Sequence, residues 1–276
     1  MAQLLLSAFA DEYADNFNEQ CEALAGFGIK YLELRHADGK NVSEFTRQDV
    51  LRIKGTLNSY GLKVSSVGSP LGKTVPDGLD AGKAERIFET AAKLGAERVR
   101  VFSFYLPEGK TWRECRGEVF SGMEKIVSVG EKFGILPCHE NEAGIYGESP
   151  QNCLELIQNF GGKLGCVFDM GNFVLDGFEA WEAYSLLKEY ISYFHIKDAL
   201  PEGAVVPPGK GKGKIKEILE DYRKQAKQDV LITLEPHLQT FSGLNALVGK
   251  TFENPYKYHS QQEAFSDAVR CIREII

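Results

Sequence analysis

No run of apolar residues approaches the roughly 20 that a helix needs to cross a bilayer, so no membrane partner is expected. The opening residues 1–10 carry no basic side chain and meet Asp11 and Glu12 at once, which reads as a first strand rather than a secretion leader. Lysine and arginine are outnumbered, 32 against 39 acidic residues, for a net charge of −7. No long basic run offers the phosphate-neutralising surface of a duplex binder, and nucleic acid is not an expected partner. The six cysteines, Cys21, Cys115, Cys138, Cys153, Cys166 and Cys271, form no CxxC pair. A chain of 276 residues buries enough core to do without disulfides, so the thiols are read as reduced and the protein as cytoplasmic. No glycine-rich phosphate fingerprint follows the first apolar segment, which argues against a dinucleotide-binding open sheet.

What is present is a recurring unit. A helical stretch with apolar residues three and four apart, such as Phe17, Cys21 and Leu24 or Ile87, Ala91 and Leu94, ends at a glycine, and a short apolar strand follows. Gly28 precedes Tyr31–Leu34, Gly61 precedes Val64–Val67, Gly95 precedes Arg98–Phe102, Gly134 precedes Ile135–His139, and Gly165 precedes Cys166–Phe168. Glycine just past a helix adopts the left-handed conformation at little cost. With residues 3–9, Ile191–Phe194 and Val230–Leu234 the pattern makes eight strands. Alternation of strand and helix implies parallel strands with right-handed crossovers. The reading is an α/β fold, a single-domain (β/α)8 TIM barrel over residues 1–276. Two long segments, Pro201–Lys216 and Leu238–Tyr258, leave the C-terminal ends of the last two strands, the face where such barrels carry their sites. The first, rich in alternating glycine and lysine, reads as flexible and solvated.

The strand ends are where the apolar pattern breaks. They read His139-Glu140-Asn141-Glu142, Asp169-Met170-Gly171-Asn172, His195-Ile196-Lys197-Asp198 and Glu235-Pro236-His237. His36, His139, His195 and His237, four of the five histidines, fall at strand ends. Singly, each residue has an ordinary reading: Asp169 as a helix cap, His195 as a core histidine, Glu140 and Glu235 as rim residues, Glu142 and Glu148 as surface. Together, Glu140, Asp169, His195 and Glu235 put one ligand on each of four consecutive strands. Carboxylates gathered on one rim repel unless a counter-charge joins them. Three carboxylates and one imidazole suit one divalent ion, Mn, Mg, Co or Zn.

These four stretches, in this order, resemble the xylose isomerase-like superfamily and within it the sugar phosphate isomerase/epimerase family, over essentially the whole chain. The resemblance implies a metal held by Glu140, Asp169, His195 and Glu235, with Glu140 and Glu235 also serving as acid and base. It implies a metal-dependent isomerase or epimerase acting on a small sugar or sugar phosphate through an enediolate. Arg35, Lys197, His237 and Asn172 are the expected substrate contacts, with Lys210 for a phosphate. Many members have histidine where this chain has Asn172, so the particular epimerisation is left open. An inosose dehydratase-like lyase is the alternative. An endonuclease IV-like hydrolase and a non-catalytic sugar-binding protein rank below it. The resemblance also implies a homodimer.

Overall fold

The computed structural model describes residues 2–239 and 256–276. Eight strands, β1 (Leu4–Ala8), β2 (Tyr31–Leu34), β3 (Lys63–Gly68), β4 (Arg98–Val101), β5 (Leu136–Glu140), β6 (Gly165–Asp169), β7 (Ile191–Ile196) and β8 (Val230–Leu234), close into a parallel barrel. Each pairs with its neighbours in sequence, and β1 closes the ring on β8, Leu4 opposite Val230 through Ala8 opposite Leu234. The helices α1 (Phe17–Gly26), α2 (Arg47–Tyr60), α3 (Ala81–Leu94), α4 (Trp112–Phe133), α5 (Pro150–Phe160), α6 (Met170–Leu175), α7 (Ala180–Leu187), α8 (Ile215–Gln225) and α9 (Gln261–Arg273) complete the units. No helix among the described residues is long and apolar enough to cross a membrane. All six cysteines are free and buried.

The glycine signal holds for most units. Gly61, Gly95 and Gly134 cap α2, α3 and α4 in the left-handed region, at φ 67°, 75° and 66°. It is displaced once: Gly161, not Gly165, caps α5. Gly165 instead opens β6, where a Cβ would stand 2.3 Å from Ser192 Oγ and 2.8 Å from Cys138 Sγ. That glycine is required by the crowding of neighbouring strands.

The period of two along each strand divides the core. Phe194 and Ile196 of β7 join the large outer core between barrel and helices, whereas Tyr193 belongs to a small inner cluster with Cys138 and Val167. Residues sharing the parity of Tyr193, Cys138 and Val167 therefore face the barrel axis. Those are His195 and Lys197 after Tyr193, Glu140 after Cys138, and Asp169 after Val167. His139 has the opposite parity. It lies near the end of β5, as the sequence pattern places it, but its ring is buried off the barrel axis with Nε2 2.9 Å from Ser103 Oγ, against the loop at Gly147.

The segment after β7 is ordered by one carboxylate, not left solvated. Asp198 accepts backbone N–H groups from Gly209 (2.8 Å), Gly211 (2.9 Å), Gly213 (2.9 Å) and Ala199 (3.0 Å). A Cβ at Gly211 would lie 2.4 Å from the Ala199 carbonyl oxygen. The alternation is thus explained: each glycine turns an amide inward, and Lys210 and Lys212 are left exposed. Of the second long segment, Leu238–Tyr258, residues 240–255 lie outside the described residues.

Candidate active site

The C-terminal mouth of the barrel holds a dense buried charge cluster. Glu140 ends β5, Asp169 ends β6, His195 is the penultimate residue of β7, and Glu235 follows β8. Each offers one donor atom, the four lie within 4.8 Å of one another, and all four residues are buried. Adjacent strands set this convergence through register: Asp169 stands opposite His195, and Thr233, two residues before Glu235, also stands opposite His195.

Asp169 is a helix cap, and it also faces the cluster. One carboxylate oxygen accepts the Asn172 N–H at 2.8 Å and caps α6, and the other accepts from Lys197 Nζ at 3.0 Å. Asn172 is locked beside it, donating to the Asn141 carbonyl at 2.9 Å and accepting from Lys197 Nζ at 3.0 Å. Lys197 also reaches Glu235 Oε2 at 3.3 Å. Arg35 donates to Glu235 Oε1 at 2.8 Å and grips Asp11 through Nε and Nη2. His237 takes a left-handed backbone at φ 46°. Its N–H donates to Glu12 at 2.8 Å, and its Nε2 is 3.4 Å from Glu235. A non-glycine residue at positive φ is uncommon, and histidine is one of the types that adopts it more readily. Of the expected substrate contacts, Arg35, Lys197, His237 and Asn172 are therefore brought to the cluster. Lys210 is not: it is exposed, and Asp267 of α9 is a neighbouring charge.

Four further groups complete the cluster and were not selected from the sequence. Arg100, buried in β4, lies 3.2 Å from Glu140 and 3.8 Å from Glu235. Glu33, in β2, lies 3.1 Å from His195 Nε2. Asp11 and Glu12 follow β1 and bind Arg35. An ionisable residue at an inward position of a short apolar strand was the available signal for Glu33 and Arg100.

The electrostatics follow from burial set against pairing. Burial pushes Glu140 upward, but His195 and Arg100 outweigh it and hold its carboxyl at about 2. Burial raises Asp169 to about 6 against the pull of Lys197. Burial raises Glu12 to about 8, aided by Glu235 and Asp11 and opposed by Arg35. His195 is driven the other way: burial disfavours its charge, yet Glu140, Glu33 and Glu235 hold it well above the usual imidazole range. Burial, with Lys197 adding, depresses His237 to about 4.

The donor set is suited to a divalent ion. Six buried carboxyl groups, Asp11, Glu12, Glu33, Glu140, Asp169 and Glu235, face three permanent cations, Arg35, Arg100 and Lys197. Protons on His195 and Glu12 offset part of the remaining acid, and a divalent ion does so without them. Glu140 Oε2 is buried and has no hydrogen-bond donor, although Arg100 is nearby. Hollows of about 510 and 710 Å³ lie at the opposite mouth of the barrel, sharing Arg98, Gln228 and Asp229, and none of the four convergent residues lines them.

The family model described as xylose isomerase-like TIM barrel matches residues 21–274. No curated protein matches by sequence. Among solved structures, a D-allulose 3-epimerase from Methylomonas sp. superposes with TM-score 0.76 at 15% identity, covering 100% of each chain. A probable 3-DHS dehydratase from Bacillus anthracis gives TM-score 0.72 at 15% identity over 99% of each chain. A xylose isomerase-like TIM barrel protein from Mycobacterium smegmatis, in complex with magnesium, gives TM-score 0.71 at 12% identity over 100% of this chain and 97% of that one. At these identities the likeness to the solved structures is one of fold.

Proposed function

We propose that this chain, which belongs to the xylose isomerase-like TIM barrel family, is a divalent-metal-dependent isomerase or epimerase of a small sugar or sugar phosphate. The observation that carries the reading is the convergence of Glu140, Asp169, His195 and Glu235 donors within 4.8 Å. These residues would hold the ion, which when bound supplies Lewis acidity to a substrate carbonyl and stabilises enediolate-like charge. The fold shared with a D-allulose 3-epimerase supports a sugar substrate.

Glu140 and Glu235 approach from β5 and β8, with the His195 ring between them, 2.8 Å from the first and 3.1 Å from the second. One carboxylate takes the proton beside the carbonyl, and the other returns a proton on the opposite face or at the neighbouring carbon. Lys197, Arg35 and His237 are donors at the same mouth and would orient the substrate oxygens. Elimination of water is the second reading, since it begins with the same transfer of a proton from beside a carbonyl to Glu140 or Glu235. The fold shared with a probable dehydratase points the same way.

The first measurement is the metal content of the purified protein beside a Glu235→Ala variant. About one divalent ion per chain, lost in the variant, is the expected result. No ion after incubation with Mn²⁺, Mg²⁺, Co²⁺ and Zn²⁺ would remove the basis of the reading. Turnover of ketoses, their phosphates and cyclitol ketones in D₂O then separates the chemistries. Deuterium in an isomeric product supports proton transfer, turnover without deuterium indicates a hydride shift, and loss of water identifies the lyase.

A further inference from the structure

We propose that Glu33 is a positioning residue that fixes the His195 imidazole with Nδ1 toward Glu140, Asp169 and Glu235, and that Tyr193 and Ser66 hold Glu33 in place. The inference rests on the divalent-ion reading above and extends it to a residue outside the ligand set.

An imidazole can direct one nitrogen at an ion, and a partner on the other nitrogen decides which. In this barrel the two nitrogens face different groups. Nδ1 lies 2.8 Å from Glu140 Oε1 and 3.1 Å from Glu235 Oε2. Nε2 lies 3.1 Å from Glu33 Oε2. A carboxylate only accepts, so Glu33 keeps the hydrogen on Nε2 and leaves the Nδ1 lone pair for an ion. The other Glu33 oxygen accepts the Tyr193 hydroxyl at 2.9 Å, and that hydroxyl lies 3.1 Å from Ser66 Oγ. Both Glu33 oxygens are thus tied down inside the barrel, where the residue has no exposed surface.

The strands are irregular where this chain of contacts is built. The register of β2 against β3 shifts between Leu32 and Glu33, and that of β6 against β7 shifts between Cys166 and Val167, which faces Tyr193. A bulge turns the side chain beside it, and the residues beside these two bulges, Glu33 and Tyr193, meet across the barrel interior. A carboxylate buried for packing alone would be replaceable by an apolar group at a gain. This one is joined to a ring whose other nitrogen faces three convergent carboxylates.

The test is Mn²⁺ affinity by calorimetry on the full chain, with ¹⁵N NMR of the histidine rings in the Zn²⁺-loaded protein. Glu33→Gln is expected to weaken Mn²⁺ binding by about 10–100-fold and to alter the Nε2–H signal of His195. Tyr193→Phe, which keeps the ring volume, is expected to weaken binding on the order of threefold to tenfold. It serves in place of Glu33→Gln if that variant does not fold. Variants that lose stability but keep both the wild-type affinity and the wild-type His195 signal would overturn the proposal. If the native chain binds none of the divalent ions, the metal reading itself fails. Native binding with variants that bind equally well overturns only the role of Glu33.

Discussion

The Lys197 ammonium stands 3.0 Å from Asp169 Oδ2, within the group of carboxylates that would receive the ion. Lysine cannot be neutralised cheaply between two acids: burial lowers its pKa, but Asp169, Glu235 and Glu140 more than reverse this and hold it above the usual lysine range. It is thus a fixed internal counter-ion that an entering divalent cation must displace or share with.

Replacing Lys197 by Met should therefore separate folding from metal binding. In chelator, the variant leaves Asp169 and Glu235 short of a partner and should lose about 3 kcal/mol of stability. In Mn²⁺ it should recover, because the repulsion between ammonium and metal is gone, and the affinity should rise by about tenfold or more. Thermal unfolding of both proteins with and without Mn²⁺ measures this. A variant whose melting temperature gains no more from Mn²⁺ than the wild type would show that Lys197 does not compete for the site.

Glu12 makes a prediction about pH. Its unfolded-state value is 4.5 and burial raises the folded value to about 8, so the folded chain binds more protons between these limits. Its contribution to stability is present below about 4.5 and is lost as pH rises to about 8. Glu12→Gln removes that dependence while keeping an oxygen for the His237 N–H. Urea unfolding in chelator at pH 5 and pH 8 should show the wild type losing on the order of 3 kcal/mol relative to the variant across the interval. Parallel losses in the two proteins would mean that Glu12 is ionised in the folded state throughout.

These residues show what was legible in the sequence. Glu140, Asp169, His195 and Glu235 stood out because each closes a short apolar run, and the barrel was readable from the recurrence of those runs. Asp11 and Glu12 were visible only as the end of a possible leader, because Arg35 reaches both from beyond β2 and His237 reaches Glu12 only once β1 closes on β8. Glu33 and Arg100 sit inside strands, and the bulge beside Glu33 cannot be seen in a string of residues. His139 also lies near a strand end, but closeness to a strand end does not specify which way a side chain points. Alternation does, and it sends His139 outward and Glu140 inward. The glycines around Lys210 read as flexibility, whereas the amides of Gly209, Gly211 and Gly213 meet Asp198.

That last relationship yields its own test. Asp198 gathers the amides of Gly209, Gly211 and Gly213, and bonds from an amide to a charged acceptor contribute about 1.5–3 kcal/mol each. Burial alone would raise its carboxyl, and the glycine amides resist that rise. Asp198→Asn keeps the shape but replaces one acceptor oxygen with an NH₂ group that faces amide donors. It should cost about 2 kcal/mol or more and release the segment. Because Lys210 and Lys212 already face outward, trypsin reports the release directly: cleavage after these lysines should be slow in the wild type and fast in Asp198→Asn. Gly211→Ala should act in the same direction, since its Cβ would meet the Ala199 backbone at 2.4 Å. Equal cleavage rates in all three proteins would mean that the segment is open in solution and that the amide cluster does not hold it. Faster cleavage confined to this segment, with the rest of the chain intact, would place the effect in the loop rather than in the barrel.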